Sequence, residues 1–375
     1  MRRILQLRTP ESRAGDDSDR LRLKNEAAAV PAPPKVRFRE PQIEMAHGAG
    51  GKASRRLIEG LIVPLLCGAS AEPLGDAAHV KLLNGARLAI TTDSFVVKPL
   101  RFPGGSIGEL AVNGTVNDLA VSGVRAEALV VTFVLEAGLP TEILQAEIRA
   151  MADAARDAGV RIVGGDTKVV EHGKADSIYI STTGIGAPID GIEINSASIR
   201  PGDQVIVSGP IGDHGITILL ARGELDLEAD LNSDTRSVLP FVEALGRAAG
   251  PSIRWMRDPT RGGVATSLNE LARDCGLGVV LNEHTIPVRD AVRGACELLG
   301  LDPLHIANEG QFLAVVAAES AEAALQAIRG TPGGEAACVI GEIQEQPAGA
   351  VLVTTQYGGT RIVDMLVGDP LPRIC

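Results

Sequence analysis

Short apolar segments of strand length alternate with helical patterns along most of this chain, and glycine marks many of the junctions between them. Leu88–Thr92 and Leu129–Leu135 are typical of buried strands because they are short and apolar. Gly108–Val121 and Thr141–Asp157 have the length and composition of helices. Strands that alternate with helices in this way predict an α/β (α+β) domain over residues 44–200.

A turn at Pro201-Gly202-Asp203 predicts the start of a second domain. The segment after it has strand and helix patterns of its own, so we expect a C-terminal α+β domain over residues 201–366. Two prolines with a single residue between them prevent a helix near the chain end. Residues 367–375 are therefore predicted to form an extended, mobile tail that ends in Cys375.

The first 40 residues differ in composition from the rest of the chain. They contain 10 Lys or Arg and 6 Asp or Glu, without the apolar core of a secretory signal. The Ala- and Pro-rich stretch at residues 27–34 is typical of a segment that cannot form a packed core. Residues 1–43 are thus predicted to be a disordered extension.

Composition excludes several classes of function. A net charge of −11, with only one Trp, two Tyr and six Phe, gives neither a basic surface nor stacking platforms for nucleic acid. The apolar runs are shorter than the ~18 residues that a membrane span requires. Five scattered cysteines without a C-x-x-C pair argue against a zinc site or a disulfide framework. We therefore expect a cytoplasmic protein without a membrane partner.

A glycine-rich segment precedes the first predicted helix of the globular part. Gly48-Ala49-Gly50-Gly51-Lys52 is a weak match to a dinucleotide-binding fingerprint, because no clear strand comes before it. It is not a Walker A loop, since Ala53 stands where that loop has Ser or Thr. Main-chain amides at a helix N-terminus can nevertheless bind phosphate. A plain flexible turn is the alternative.

Three aspartates form a candidate metal site. Asp93 and Asp166 follow predicted strands, and Asp118 lies on a helix rich in small residues. Each alone is typical of a cap or turn, but side chains at strand ends meet at one edge of a sheet. Mg²⁺ binds a few carboxylates together with nucleotide phosphates. Taken with the glycine-rich segment, the three residues predict a metal–nucleotide site.

Three further residues have a chemical and a structural interpretation. His214 lies in a Gly-Asp-His-Gly segment that we predict to be a ligand-binding loop, and Glu309 lies between a helical segment and a strand. A solvated loop carboxylate is the plain alternative for Glu309. Cys375, the last residue, would be a thiol carried on a swinging arm, or a cysteine that stands there by chance.

A set of motifs in chain order resembles a known family. The motifs are Ala-His-Gly-Ala-Gly-Gly-Lys at 46–52, Thr-Thr-Asp-Ser at 91–94, Phe-Pro-Gly-Gly-Ser-Ile-Gly at 102–108, Asn-Asp-Leu-Ala at 117–120, Gly-Gly-Asp-Thr-Lys-Val at 164–169, Gly-Asp-His-Gly at 212–215, Asp-Pro-Thr-Arg-Gly-Gly at 258–263, Ala-Asn-Glu-Gly at 307–310 and Pro-Arg-Ile-Cys at 372–375. With them, residues 44–375 resemble the HypE family of hydrogenase maturation proteins. These are carbamoyl dehydratases in the superfamily of aminoimidazole ribonucleotide synthetase.

The resemblance implies an ATP-dependent reaction on the chain's own terminal thiol. A partner, HypF, would carbamoylate Cys375, and ATP with Mg²⁺ would convert that group to a thiocyanate. The HypC–HypD complex would receive the cyano group as a ligand of the [NiFe]-hydrogenase iron. Glu309 matches the family's general base. The resemblance also implies a homodimer whose N-terminal sheets pair into a barrel.

The implied nucleotide site uses the glycine-rich segment and the three aspartates. Gly50, Gly51 and Lys52 would bind the phosphates, with Lys168 nearby, and Asp93, Asp118 and Asp166 would bind the metal.

Two alternatives stay open at this point. One is another ATP-dependent synthetase of the same superfamily, although the reactive Cys of a selenophosphate synthetase is N-terminal and the first cysteine here is Cys67, in an apolar helix. The other is a non-catalytic ATP-binding scaffold whose tail only contacts partner proteins.

Overall fold

The computed structural model describes residues 37–66, 74–223, 225, 227, 229–355, 357–368, 371 and 373–375. Most of the extension predicted at residues 1–43, together with Cys67, lies outside the described residues. The described chain forms one compact unit that begins at Arg37. Its first residues already contact the helical segment after them: the amide of Phe38 donates to the carbonyl of Gly60 at 3.5 Å.

The N-terminal half contains a five-stranded sheet in the order β1-β2-β7-β5-β6. Its strands are β1 (Ala78–Lys81), β2 (Arg87–Phe95), β5 (Val124–Glu136), β6 (Arg161–Val170) and β7 (Ile178–Pro188). Strands β5 and β6 are parallel, and the other neighbours are antiparallel. Strand β6 is therefore an edge, and nearly all of its residues are exposed.

Helices of the N-terminal half precede this sheet or cover one of its faces. They are α1 (Lys52–Leu57), α2 (Val63–Leu66), α3 (Ile107–Val121) and α4 (Thr141–Asp157). A π-helical turn, Ile58–Ile62, joins α1 to α2, and a short hairpin of β3 (Arg101–Phe102) and β4 (Gly105–Ser106) precedes α3.

Helix α3 is the central element of the fold, because nearly all of its residues are buried. Its small residues permit this burial: a Cβ at Gly108 would overlap the main chain of Glu147, and one at Gly114 would meet the ring of Phe95 at 2.9 Å. From its C-terminal turn, Asn117 donates to the carbonyls of Arg236 and Glu309 at 2.9 and 3.1 Å. The helix thereby links the N-terminal sheet to the loops of the C-terminal half.

The C-terminal half contains a seven-stranded sheet in the order β14-β13-β10-β12-β8-β11-β9. Its strands are β8 (Gln204–Val207), β9 (Ile253–Arg257), β10 (Gly278–Asn282), β11 (Leu313–Val316), β12 (Cys338–Gln344), β13 (Val351–Thr354) and β14 (Thr360–Val363). Its helices are α5 (Asp213–Ala221), α6 (Leu239–Ala249), α7 (Gly263–Cys275), α8 (Asp290–Leu299) and α9 (Ala321–Arg329).

The predicted class of mixed α and β structure is confirmed, and helix α4 has the predicted bounds. Three local predictions are wrong. Asp93 does not follow a strand but lies within β2, which continues to Phe95. Asp166 also lies within a strand instead of after one, because β6 does not end before Gly164 but continues to Val170. Helix α5 begins at Asp213, so His214 lies in its first turn and not in a loop. Among the described residues, no helix combines the length and apolarity needed to cross a lipid bilayer.

Candidate active site

Three aspartates from separate parts of the chain meet beside the C-terminal end of α3. Asp118 lies on α3, Asp258 directly follows β9, and Asp76 precedes β1. One carboxylate oxygen from each lies within 4.8 Å of the other two. An all-oxygen set of this size suits a hard divalent cation such as Mg²⁺. The sequence analysis did not include Asp76 and Asp258 in the candidate metal site, although Asp258 directly follows a strand.

Crowding of negative charge dominates the electrostatics of this acidic cluster. Burial, followed by the charge of Asp258, raises the pKa of Asp118 well above its usual range. Burial and the charge of Asp76 raise the pKa of Asp258 to about 8. Arg257 offsets part of the charge through ion pairs with Asp76 at 2.8 Å and with Glu270 at 3.2 Å. A divalent cation would relieve the repulsion that remains, so the residues present fit such an ion.

Asp93 lies on β2 next to this cluster. Its side chain faces α3, because a Cβ on Gly114 would be 3.8 Å from Asp93 Oδ2. Its charge raises the pKa of both Asp118 and Glu309. Burial raises the pKa of Asp93 itself, against the charge of Arg261. The structure thus brings two of the predicted metal residues, Asp93 and Asp118, into one site.

Glu309 is buried at the edge of the same site. Its Oε1 atom is enclosed and has no hydrogen-bond partner among the described residues. Burial, followed by the charges of Asp258 and Asp93, raises its pKa well above the usual range. A carboxylate in this state has a high affinity for a proton, which is the property a general base at neutral pH requires. The alternative of a solvated loop residue is wrong, since Glu309 is only 3% exposed.

Neighbouring residues fix the main chain around Glu309. Asn308 donates from its side chain to the carbonyl of Pro259 at 2.9 Å and accepts from the amide of Gly212 at 2.7 Å. At Gly310 a side chain is impossible, because a Cβ would overlap the carbonyl oxygen of Asp234. These contacts tie the Glu309 loop to the loop after β9, which carries Asp258.

The glycine-rich segment contacts both the loop after β9 and the chain near its C-terminus. Gly50 has a φ of +76°, and a Cβ there would be 2.7 Å from the carbonyl of Arg261. The amide of Gly50 donates to Ser54 Oγ at 2.9 Å, and that of Lys52 donates to the carbonyl of Leu366 at 2.9 Å. The side chain of Lys52 pairs with Asp364. Gly51 directly precedes α1. Two of the amides predicted to bind phosphate therefore have protein acceptors in this conformation.

Asp166 and Lys168 lie apart from the acidic cluster within one chain. Both are exposed on the edge strand β6 and form an ion pair with each other at 2.8 Å. Asp166 is in register with Thr132, Ser181 and Ser94 across the sheet. Because neighbouring side chains alternate between faces, Asp166 points to the face opposite Asp93.

The end of the chain is docked along the residues that follow β2. The amide of Val96 donates to the main-chain oxygen of Cys375 at 3.0 Å, and that of Lys98 donates to the carbonyl of Arg373 at 3.3 Å. The side chains of Leu371 and Ile374 are each only 3% exposed. The structure therefore describes a docked state of the predicted tail, with Cys375 at the end of the strand that carries Asp93.

His214 contacts this docked tail. Its Nε2 atom lies 2.6 Å from the carbonyl oxygen of Ile374, and its Nδ1 atom lies 2.8 Å from Ser233 Oγ. The ring is fully buried, which lowers the pKa of His214 to about 4. His214 was predicted to lie in a ligand-binding loop. In the structure its ring contacts the tail of the same chain, at the carbonyl of Ile374.

The fold and site define the chain as a member of the AIR synthase related proteins. The sequence model of that family's N-terminal domain matches residues 74–187, and the model of its C-terminal domain matches residues 200–354.

Individual relatives narrow the assignment. The chain is 48% identical to carbamoyl dehydratase HypE of Azotobacter vinelandii over 341 residues, which cover 91% of this chain and 99% of that protein. A crystal structure of a HypE–HypF complex matches with a TM-score of 0.78 and 43% identity, over 83% of this chain and 99% of that one. A crystal structure of HypE in complex with ATP matches with a TM-score of 0.74 and 44% identity, over 89% of this chain and 100% of that one. The chain belongs to the carbamoyl dehydratase HypE family.

Proposed function

We propose that this chain is an enzyme that uses ATP to dehydrate a carbamoyl group on its own C-terminal cysteine. The product would be a thiocyanate on Cys375, which supplies the cyanide ligand of the [NiFe]-hydrogenase iron. The observation that carries the proposal is the docking of Cys375 at the end of β2, the strand that holds Asp93 beside the acidic cluster and Glu309. The relatives named carbamoyl dehydratase HypE support the same reaction.

The reaction has two balanced steps. In the first, the γ-phosphoryl group of ATP moves to the carboxamide oxygen, an O–P bond forms, the bond to ADP breaks, and one N–H proton is lost. In the second, the remaining N–H proton leaves, the C–O bond breaks, phosphate departs, and the C≡N bond is complete. Glu309 is the group proposed to take the second proton, because its buried carboxylate binds a proton strongly.

The acidic cluster of Asp76, Asp118 and Asp258 is the proposed metal site, with Asp93 beside it. Mg²⁺ bound there would neutralise the charge that develops on the transferred phosphoryl group. Asp118 and Asp93 keep the role the sequence predicted for them, and Asp258 and Asp76 join the set. Four neighbouring carboxylates would keep this part of the site negative and hold the cation near the phosphates.

Gly50, Gly51 and Lys52 are proposed to bind the phosphates of ATP. Lys52 would then exchange Asp364 for a phosphate, and its amide would leave the carbonyl of Leu366. The neighbouring structure of HypE in complex with ATP supports a nucleotide site in this fold. Asp364→Asn should therefore favour nucleotide binding, because it removes the carboxylate that competes for Lys52.

Asp166 and Lys168 are proposed to complete the site of a second protomer. Their strand β6 is an exposed edge, and Val163 and Val169 on it are 56% and 67% exposed. An apolar edge of this kind is a natural place for another chain to pair. We therefore propose the homodimer, with the N-terminal sheets joined into a barrel, as the active form.

Mixed dimers test whether Asp166 acts across the interface. A heterodimer of one Asp118→Asn chain and one Asp166→Asn chain retains one intact site if Asp166 serves the other protomer. It should then recover about half of the wild-type activity, while both homodimers of the variants stay inactive. No recovery in the heterodimer would mean that Asp166 acts within its own chain.

The proposed partners are HypF, as donor of the carbamoyl group, and the HypC–HypD complex, as acceptor of the cyano group, all in the cytoplasm. The neighbouring HypE–HypF structure supports the first of these. Phosphate release from ATP tests the activity against a purely scaffolding role. Release should require carbamoylated Cys375, and it should persist in Cys338→Ala as a matched control. Equal release by Cys375→Ala and Cys338→Ala would contradict the proposal.

A further inference from the structure

His214 occupies a buried position between helix α5 and the docked tail. Its ring is completely enclosed and meets the ring of Phe102 edge to face, with 5.7 Å between centroids. The two ring nitrogens contact two different parts of the chain, Ser233 and the carbonyl of Ile374. Nothing in the proposed chemistry of the active site uses this residue.

The contacts define which nitrogen carries the proton. A carbonyl oxygen can only accept, so Nε2 of His214 must donate to the carbonyl of Ile374. Nδ1 then accepts, and the hydroxyl of Ser233 donates to it at 2.8 Å. Ser233 Oγ in turn accepts from the amide of Thr235 at 3.1 Å, so its donor and acceptor roles are consistent. Burial keeps the ring in this neutral form, since it lowers the pKa of His214 to about 4.

The carbonyl of Ile374 is the peptide group immediately before Cys375. On its other side, Cys375 is held through its main-chain oxygen by the amide of Val96 at 3.0 Å. The bond from His214 therefore holds the tail at the peptide group directly before the residue that carries the thiol. It is also short, at 2.6 Å, and enclosed, so water does not compete for it.

We propose that His214 is a positioning residue that holds the penultimate carbonyl of the tail and thereby fixes where the side chain of Cys375 points. Ser233 supports it by selecting the tautomer that donates from Nε2. The consequence for catalysis rests on the proposed function, whereas the anchoring of the tail does not. Without the anchor, the terminal thiol should spend more time undocked.

Two substitutions of His214 distinguish the effect of losing the hydrogen-bond donor from the effect of losing the ring. In His214→Gln the side-chain amide reaches the position of Nε2 and can still donate to Ile374, whereas in His214→Asn it reaches only the position of Nδ1. Loss of one buried hydrogen bond of this kind changes an equilibrium by about 2- to 10-fold. His214→Asn should therefore increase the alkylation rate of Cys375 by that factor, and His214→Gln should remain close to wild type.

Iodoacetamide labelling followed by mass spectrometry of the C-terminal peptide measures this rate, with Cys275 and Cys338 as internal references. Ser233→Ala offers a milder second variant, in which the ring stays but its Nδ1 atom loses its donor, so the bond to Ile374 is less well supported and Cys375 should again label faster. Equal labelling in His214→Asn and wild type, or equal increases in the Asn and Gln variants, would overturn the proposal. Labelling needs no activity, so its result stands even if Cys375 is never carbamoylated.

For the reaction itself, carbamoylated His214→Asn should dehydrate more slowly than carbamoylated His214→Gln, at the same affinity for ATP. A change in ATP affinity that matches the loss of rate would indicate general damage to the site and overturn the positioning role.

Discussion

The main-chain amide of Glu309 donates a hydrogen bond to Oδ1 of Asp234 at 3.0 Å. Asp234 thus fixes the backbone of Glu309 and also places a second buried carboxyl group beside its side chain. The charge of Asp234 adds to burial and to the charges of Asp258 and Asp93 in raising the pKa of Glu309. One residue therefore helps to set both the position and the proton affinity of the proposed base.

Replacement of the proposed base should slow dehydration and leave carbamoylation unchanged. Glu309→Gln keeps the size of the side chain and removes its basicity, and general bases typically contribute about 10²–10⁴-fold to rate. Dehydration of carbamoylated Cys375 should slow by that factor. Carbamoylation itself should be unaffected, because its chemistry is proposed to occur on HypF. Quench-flow mass spectrometry of the tail peptide checks both, and an unchanged dehydration rate would assign the base to another group.

Asp234 gives a pH-dependent prediction. Asp234→Asn can still accept from the amide of Glu309 but lacks the charge that raises the pKa of Glu309. A base works only when deprotonated, so a lower pKa moves the rising limb of the pH–rate profile to lower pH. Rates of dehydration measured from acidic to neutral pH should show this displacement. If the profile of Asp234→Asn rises at the same pH as that of the wild type, the charge of Asp234 does not affect the pKa of the base.

The acidic cluster should determine the affinity for Mg²⁺ and ATP together. Asp118→Asn keeps the shape of a proposed ligand and removes its charge. Binding of Mg²⁺·ATP should therefore weaken by at least the ~10- to 100-fold that loss of a group supporting a metal ligand costs. Titration calorimetry measures the affinity. Asp153→Asn, on the exposed face of α4, is the matched control and should bind normally. Wild-type affinity in Asp118→Asn would exclude Asp118 from the metal site.

The buried His214 should contribute to stability in a defined pH range. Its pKa is about 4 in the folded chain and about 6.5 in the unfolded chain, so the unfolded state binds the extra proton between these values. The contribution is complete above pH 6.5 and is lost as the pH falls toward 4. Between pH 7.5 and pH 5 the loss is about 2 kcal/mol. Urea unfolding of wild type and His214→Gln at both pH values should show this extra loss only in wild type.

The sequence pattern was sufficient to predict the class of fold and those elements whose apolar residues repeat at a regular spacing. Helix α4 has the predicted bounds because its apolar positions repeat at helical spacing and it ends shortly before a glycine at residue 159. The strand predicted before Asp166 was too short, because Gly164 and Gly165 are typical of a loop. In the sheet Gly165 is needed for a different reason: a Cβ there would overlap the carbonyl of Val131.

The site was only partly predictable, since its members come from distant segments. Asp93 and Asp118 could be selected from local pattern, yet their grouping with Asp76 and Asp258 depends on how β1, α3 and β9 pack. The sequence of a single strand could not predict which face of the sheet Asp166 would occupy. A shift of one residue in the pairing with the neighbouring strand moves every side chain to the opposite face. The contact of His214 with Ile374 joins residues 160 positions apart, and neither has a local signal for the other.

The chemical state of Cys375 is the most direct test of the proposed dehydration. The wild-type chain would be incubated with HypF, carbamoyl phosphate and ATP, and its C-terminal peptide followed by mass spectrometry over time. We expect an adduct on Cys375 with the added mass of one HNCO unit. After HypF and nucleotide are removed, this adduct should become lighter by one water only when Mg²⁺·ATP is added back. A carbamoyl adduct on any other cysteine, or an adduct on Cys375 that never loses water with Mg²⁺·ATP, would contradict the proposal.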